Sequence, residues 1–271
     1  MKIHFLGTGA AEGIPNPHCT CDVCEQTRIE RGKNIRSRTS VIIDDELKVD
    51  DPPDTFYHTI RDRLDLTGLR DLLITHTHCD HFTPQDMENR LEGFAHGVKR
   101  PLHIYGHDLV VQGYRRALSE NQHRLAYHRV IPFKKIETQT ATVTPLLADH
   151  DPEETCLLYF IEKNGKHILY GNDTGYFPDE TWNWLQGKRL DAAILDCTGG
   201  FTGQKRSRNH MCIETVCEVT RIFQNEQMMN EGARIIATHF THNAGMLHED
   251  FVEALKPHGI EVAFDGMIIE I

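Results

Sequence analysis

The chain has 271 residues, 39% of them apolar and 25% charged, enough to bury one substantial core or two small ones, and this composition excludes a disordered polypeptide. Its formal net charge of -11 argues against a general nucleic-acid binder, because neutralising many phosphates takes a basic face; an anionic substrate must be attracted locally. With neither a signal-peptide pattern nor a bilayer-length apolar run, a cytosolic location without membrane contact is expected, where eight cysteines serve as metal ligands or buried thiols rather than disulfides.

Short β-type runs are predicted in chain order at residues 2–6 (ending on Gly7-Thr8-Gly9), 39–43, 46–49, 72–75, 102–105, 141–147, 155–162, 167–170, 192–196, 234–238 and 267–271. Apolar spacing nearer to 3.6 predicts helices over 108–119, 178–185 and 214–229. No Pro/Gly/Ser-rich linker or repeat interrupts them, which points to a single α/β domain over residues 1–271, two sheets packed together with helices outside. Residues 113–129 are polar, basic and poorly periodic, and read as a surface insertion.

The run His76-Thr77-His78-Cys79-Asp80-His81 follows an apolar strand. Strand residues two apart point the same way, so His76 and His78 can converge on one ion, and after a turn Asp80 and His81 can reach a second. Pro84 then suits the first turn of a helix. Four side chains cannot hold two ions, and His150, Asp173 and His239 each stand where a later β-run meets a loop. Cys79 is expected to point away from the ions as a buried thiol, Cys156, Cys197, Cys212 and Cys217 to be core or helix residues, and His103, His107, His123 and His128 to be solvated.

A second cluster lies in the loop 18–24, where Cys19, Cys21 and Cys24 offer three thiolates within six residues. A closed tetrahedral zinc needs a fourth ligand, for which His242, three residues after His239, is the first choice and His18 the alternative. Near the C-terminal third, Lys205, Arg206 and Arg208 place three cations within four residues; this loop either binds a phosphate or is a solvated surface feature. Asn209 reads as the N-cap of the helix that follows.

His-x-His-x-Asp-His followed by a lone His, an Asp and a last His resembles the metallo-β-lactamase superfamily, whose fold is a four-layer αββα arrangement of two mixed sheets with helices on the outer faces. The resemblance implies one ion on His76, His78 and His150, another on Asp80, His81 and His239, Asp173 bridging them, and Asp50 orienting a ligand histidine. Two divalent cations bring about +4, Asp80 and Asp173 subtract two and a bridging hydroxide one, leaving about +1, which suits a phosphodiester monoanion. An aspartate at the bridging position, where many β-lactamases have cysteine, also favours phosphoesters. The Cys-x-Cys-x-x-Cys cluster, the His-x-x-His pair and the closing Phe264-Asp265-Gly266-Met267 are similar to the PhnP-like phosphodiesterases of the carbon-phosphorus lyase pathway. That implies hydrolysis of cyclic ribose phosphates or related small phosphodiesters, with Asp80 and His210 acting in catalysis, manganese or zinc in the active site, one structural zinc, and a homodimer. The alternatives are a tRNA 3'-processing endonuclease, which needs a basic arm not evident here, and a PqqB-like cofactor-biosynthesis protein.

Overall fold

The computed structural model describes residues 1–118 and 123–271. Its strands are β1 (Lys2–Gly7), β2 (Ser40–Ile43), β3 (Leu47–Val49), β4 (Asp71–Leu73), β5 (Leu102–Gly106), β6 (Leu125–Arg129), β7 (Ile136–Glu137), β8 (Thr142–Leu147), β9 (Leu157–Lys163), β10 (Lys166–Gly171), β11 (Leu190–Asp196), β12 (Met229–Thr238), β13 (Ile260–Val262) and β14 (Ile268–Glu270). Between them run α1 (Asp22–Glu30), α2 (Thr55–Asp62), α3 (Asp108–Ala117), α4 (Asp179–Leu185), α5 (Ile213–Asn225) and α6 (His248–Leu255). Among the described residues the strands form two seven-stranded sheets, ordered β14-β1-β2-β3-β4-β5-β6 and β13-β12-β11-β10-β9-β8-β7. Both are mixed. The first is antiparallel from β14 to β3 and parallel from β3 to β6; the second is parallel from β13 to β10 and antiparallel from there to β7.

Side-chain alternation decides the layering. In β9, Leu157, Tyr159 and Ile161 enter the core between the sheets with Phe5, Val49 and Leu73 of the other sheet, while Leu158 and Phe160 join α4, α5 and α6 through Leu185, Val216, Phe223 and Phe251. On the far side, Leu72 and Ile104 pack on Val110 and Tyr114 of α3. A slip of one residue would exchange these sets, and each large apolar side chain moved from core to water costs roughly 1.5–3 kcal/mol, so the register is firmly set. The expected αββα order follows.

Several elements depart from the periodicity reading. The supposed insertion 113–129 largely dissolves into regular structure: Tyr114 is fully buried in α3, and Leu125 to Arg129 pair in parallel with β5. As an edge strand with only its first residue buried, β6 has no alternation to read; residues 119–122 lie outside the described residues. The helix expected over 214–229 stops at Asn225, because Gln227 adopts φ 53° and Met229 pairs with Leu190 to begin β12. Helices α1 and α2 were not legible: α1 buries only Val23, Cys24 and Thr27, and α2 buries only His58 while exposing Phe56 and Ile60.

The turn after β1 is tightly packed. Gly7 is required there, since a Cβ would stand 1.9 Å from the Arg38 carbonyl oxygen. Thr8 and Ser37 hydroxyls donate to Asp265, whose side chain is largely covered, and Ser37 Oγ also lies 2.8 Å from Nε2 of fully buried His58. Burial, with Lys48 and Arg61 nearby, lowers His58 to about 2. The unfolded chain takes up this proton near pH 6.5 and the folded chain does not, so the contribution is lost as pH falls below that value. Between pH 7 and 5, wild type should lose about 2 kcal/mol more unfolding free energy than His58→Gln, at 1.36 kcal/mol per pH unit. Urea midpoints at both pH values measure this, and parallel losses would rule the assignment out.

Candidate metal centre

Each candidate ligand sits past the carboxyl end of a strand, where α/β sheets present their loops: His76, His78, Asp80 and His81 after β4, His150 after β8, Asp173 after β10 and His239 after β12. Ring nitrogens of His76, His78 and His150 lie within 4.8 Å of one another, and so do ligand atoms of Asp80, His81, Asp173 and His239. Asp173 stands between the groups. One oxygen is 3.6 Å from His76 Nε2 and touches His81 Nε2; the other is 3.0 Å from His239 Nε2. Asp50, Asp173 and His239 all hold left-handed backbone, with φ of 63°, 50° and 63°. For non-glycine residues this costs on the order of 1–3 kcal/mol each and persists only where the surroundings impose it.

The imidazoles are fixed from behind. His81 Nδ1 lies 2.8 Å from Oδ2 of fully buried Asp50, as the resemblance implies, and Asp50 also accepts from Thr75. Thr75 Oγ1 meets His76 Nδ1 at 2.9 Å, Asp151 meets His78 Nε2 at 3.0 Å, the Asn209 carbonyl meets His150 Nδ1 at 3.0 Å, and Thr198 Oγ1 meets His239 Nδ1 at 2.8 Å. With one nitrogen so engaged, each ring turns the other inward, which is how ligand histidines are oriented. Asn209 therefore does not cap α5, whose N-cap is Cys212. Its loop reaches His150 because Gly175 admits it: a Cβ there would lie 2.4 Å from the Ser207 carbonyl.

A cation fits this cluster. His76 Nε2, His81 Nε2, His239 Nε2 and Asp173 Oδ1 are buried and make no hydrogen bond among the described residues, an arrangement that is costly unless something else satisfies them. Burial works against charge on His81 and His239, yet Asp173 and the neighbouring carboxylates together outweigh it, Asp80 and Asp50 at His81 and Asp80 and Asp196 at His239, raising His81 well above the imidazole range and His239 to about 10. Burial would likewise raise Asp173, but His239 and His81 hold it well below the carboxylate range. The cluster thus demands positive charge between its carboxylates, which imidazole protons and divalent ions can both supply.

Cys19, Cys21, Cys24 and His242 form a separate group with ligand atoms within 4.8 Å of one another, Cys21 Sγ 3.4 Å and Cys19 Sγ 3.7 Å from His242 Nδ1. This set matches a closed tetrahedral zinc site. His18 is exposed and outside it. Cys156, Cys197, Cys212 and Cys217 are buried as expected, but Cys79 is exposed, because β4 ends at Leu73 and strand alternation does not extend through the ligand loop. His107, expected in solvent, is buried against Glu154.

A cavity of about 340 Å³ opens on the cluster, bounded by Glu12, His78, His210, Thr241 and Asn243 among others. Lys205, Arg206 and Arg208 do not line it. Lys205 and Arg206 pair with Glu218 of α5 and Arg208 with Asp149, carboxylates that the local sequence of the loop does not reveal. His210 does reach the cavity. Its Nδ1 lies 2.8 Å from Oδ2 of fully buried Asp196, and its ring stacks on His239 at 5.4 Å. Burial opposes charge on His210, but Asp196 raises its pKa above the usual value. Asp196 and Thr198 were missed in the sequence, although Asp196 ends an apolar run just as the ligands do.

The site and fold place the protein by class: the chain belongs to the beta-lactamase superfamily, whose Beta-lactamase superfamily domain matches residues 49–240, spanning Asp50 to His239. Coenzyme PQQ synthesis protein B of Acinetobacter baumannii (strain SDF) is 23% identical, aligned over 100% of both chains. A diphosphatase from the PhnP family has the same fold with TM-score 0.77 and 22% identity, covering 100% of this chain and 97% of its own. Zinc-bound PqqB from Methylobacterium extorquens matches with TM-score 0.77 and 18% identity over 100% of both chains. No helix of the described residues is long and apolar enough to cross a membrane.

Proposed function

We propose that this chain is a dinuclear metal-dependent phosphodiesterase acting on small phosphodiesters, cyclic ribose phosphates among them. The observation that carries the reading is the pair of ligand groups with Asp173 between them, beside a histidine held by a buried aspartate. His76, His78 and His150 would hold one divalent ion, Asp80, His81 and His239 the other, with Asp173 common to both. Bound zinc or manganese would supply Lewis acidity toward a phosphoryl oxygen and make a water acidic enough to serve as nucleophile near neutral pH. His210 would give a proton to the leaving alkoxide: Asp196 occupies its Nδ1, which leaves Nε2 for the cavity that His210 lines. Asp196 itself is held by Thr198 N at 2.9 Å and Met211 N at 3.1 Å, so the dyad is preorganised. The Cys19-Cys21-Cys24-His242 set would hold a structural zinc.

The cavity's size and chemistry favour a small substrate. Among the described residues no lysine or arginine lines it, so it offers no track for a polyanion such as tRNA, whereas one phosphodiester charge can be met by the ions and His210. The full-length likeness to Coenzyme PQQ synthesis protein B supports a second reading, a role in cofactor biosynthesis. Turnover of bis(p-nitrophenyl) phosphate and of a ribose 1,2-cyclic phosphate separates them: manganese- or zinc-dependent release of both products is expected. A fully metal-loaded chain inert toward both would end the phosphodiesterase reading.

A further inference from the structure

The two ligand groups are not supported alike. Behind His81 and His76 stands Asp50, fully buried and reached by four contacts from Thr75 and His81, and behind His239 stands buried Thr198. His78 has no such interior backing; 42% of its side chain is exposed. What touches this segment is the loop 151–154 between β8 and β9. Asp151 Oδ2 lies 3.0 Å from His78 Nε2. Glu154, whose side chain is 5% exposed, accepts from the Thr77 amide at 3.0 and 3.1 Å and from the Thr77 hydroxyl at 3.0 and 3.1 Å. Its remaining partner is His107 Nε2 at 2.8 Å, at the residue that opens α3.

Thr77 is the single residue between His76 and His78, so whatever fixes its amide fixes the spacing of the two imidazoles that flank it. A buried carboxylate bonded to both the amide and the hydroxyl of one residue leaves that residue little freedom to rotate, and charge-assisted bonds of this kind are roughly twice as strong as neutral ones. Truncating Glu154 would leave Thr77 N–H and His107 Nε2 unpaired in the interior and let the loop relax toward solvent on the side where His78 is already open. We propose that Glu154 is a positioning residue for the three-histidine half of the metal centre, holding Thr77 so that His76 and His78 stay in register with His150. The ligand group of Asp80, His81, Asp173 and His239 draws nothing from this loop. The inference rests on the dinuclear reading above and adds to it an asymmetry: occupancy of one ion depends on Glu154 and occupancy of the other does not.

Manganese(II) alone, titrated into the full chain that keeps its cysteine-bound zinc, tests this through stepwise affinity and the electron paramagnetic resonance spectrum, independently of turnover. Wild type should take up two ions and show the spin-coupled signal of a pair. In Glu154→Ala the first ion should bind as in wild type and the second about 10- to 100-fold more weakly, with an uncoupled spectrum at two equivalents. Glu154→Gln keeps an acceptor oxygen for Thr77 and should recover most of the second affinity, which separates positioning from a general folding defect. Unchanged affinities in Glu154→Ala, or equal weakening at both ions, would overturn the proposal. A wild-type chain that takes up no manganese at all would overturn the metal-centre reading, and this proposal with it.

Discussion

His210→Ala should lower kcat by roughly 10²- to 10⁴-fold, the range for loss of a general acid, while both active-site ions stay bound. The expectation follows from where the ring's bonds go. His210 Nδ1 is committed to Asp196, and although His210 also clusters with Asp173, Asp196 and His239, the seven proposed ligands His76, His78, His150, Asp80, His81, Asp173 and His239 converge without it. A leaving alkoxide is a poor leaving group unless protonated, so the loss should be steep for diesters with alkyl or ribosyl leaving oxygens. It should be small for p-nitrophenyl esters, whose leaving group departs unaided. Asp196→Asn should fall between wild type and His210→Ala, because it removes orientation and charge but keeps the ring. Metal content by elemental analysis and kcat on the two ester classes measure all of this. Equal kcat losses on both classes would take proton donation away from His210, and a fully active variant would remove it from the reaction.

The convergence of the candidate ligands was legible in the sequence because each member is a metal-binding residue type placed where a recognisable apolar run ends. That signal is local: chemistry at one residue, strand pattern in the few before it. Apart from Asp50, which the resemblance implied, the partners that fix those residues could not be read. Asp151 and Glu154 lie more than 70 positions from His78 and Thr77, Asn209 59 from His150, and Thr198 41 from His239. Nothing in the spacing of a loop says which distant ring it will meet. The basic loop shows the same limit in reverse. Three cations look available until Glu218 and Asp149 fold against them. Elements were legible where one face is buried and the other is not, as in α5. They were lost where that contrast is missing, as in β6 at its sheet edge and α2 with apolar residues turned outward.

On the proposed zinc site, Cys21→Ser should cost the chain one zinc equivalent and on the order of 10 °C in Tm, because Cys21 would supply one of that site's four ligands and a serine hydroxyl is a poor substitute. The scale follows from linkage: an ion held at about 1,000 times its Kd stabilises the folded state by about 4 kcal/mol, and in a chain of this size each kcal/mol moves Tm by about 2–4 °C. The consequence should reach the reaction without touching a catalytic side chain. The cysteine-histidine group joins the start of α1 and the loop before it to His242, and that loop is also stitched to the same segment nearby, where Phe240 N donates to Thr8 O at 2.9 Å and Ala10 N to Phe240 O at 2.9 Å. His239 lies between that stitch and β12 in a left-handed conformation it would not adopt unsupported. Glu12, whose carboxylate accepts from the Thr241 hydroxyl, and Asn243 carry the same dependence to the cavity wall. Loosening the zinc end should therefore weaken binding of the ion on His239 and raise KM, while His76, His78 and His150 keep theirs. Elemental analysis, thermal unfolding and manganese titration on one preparation give the three readouts. A Cys21→Ser chain that keeps its zinc and its Tm would show that the cysteine cluster is not a metal site, leaving the centre around Asp173 to stand on its own ligands.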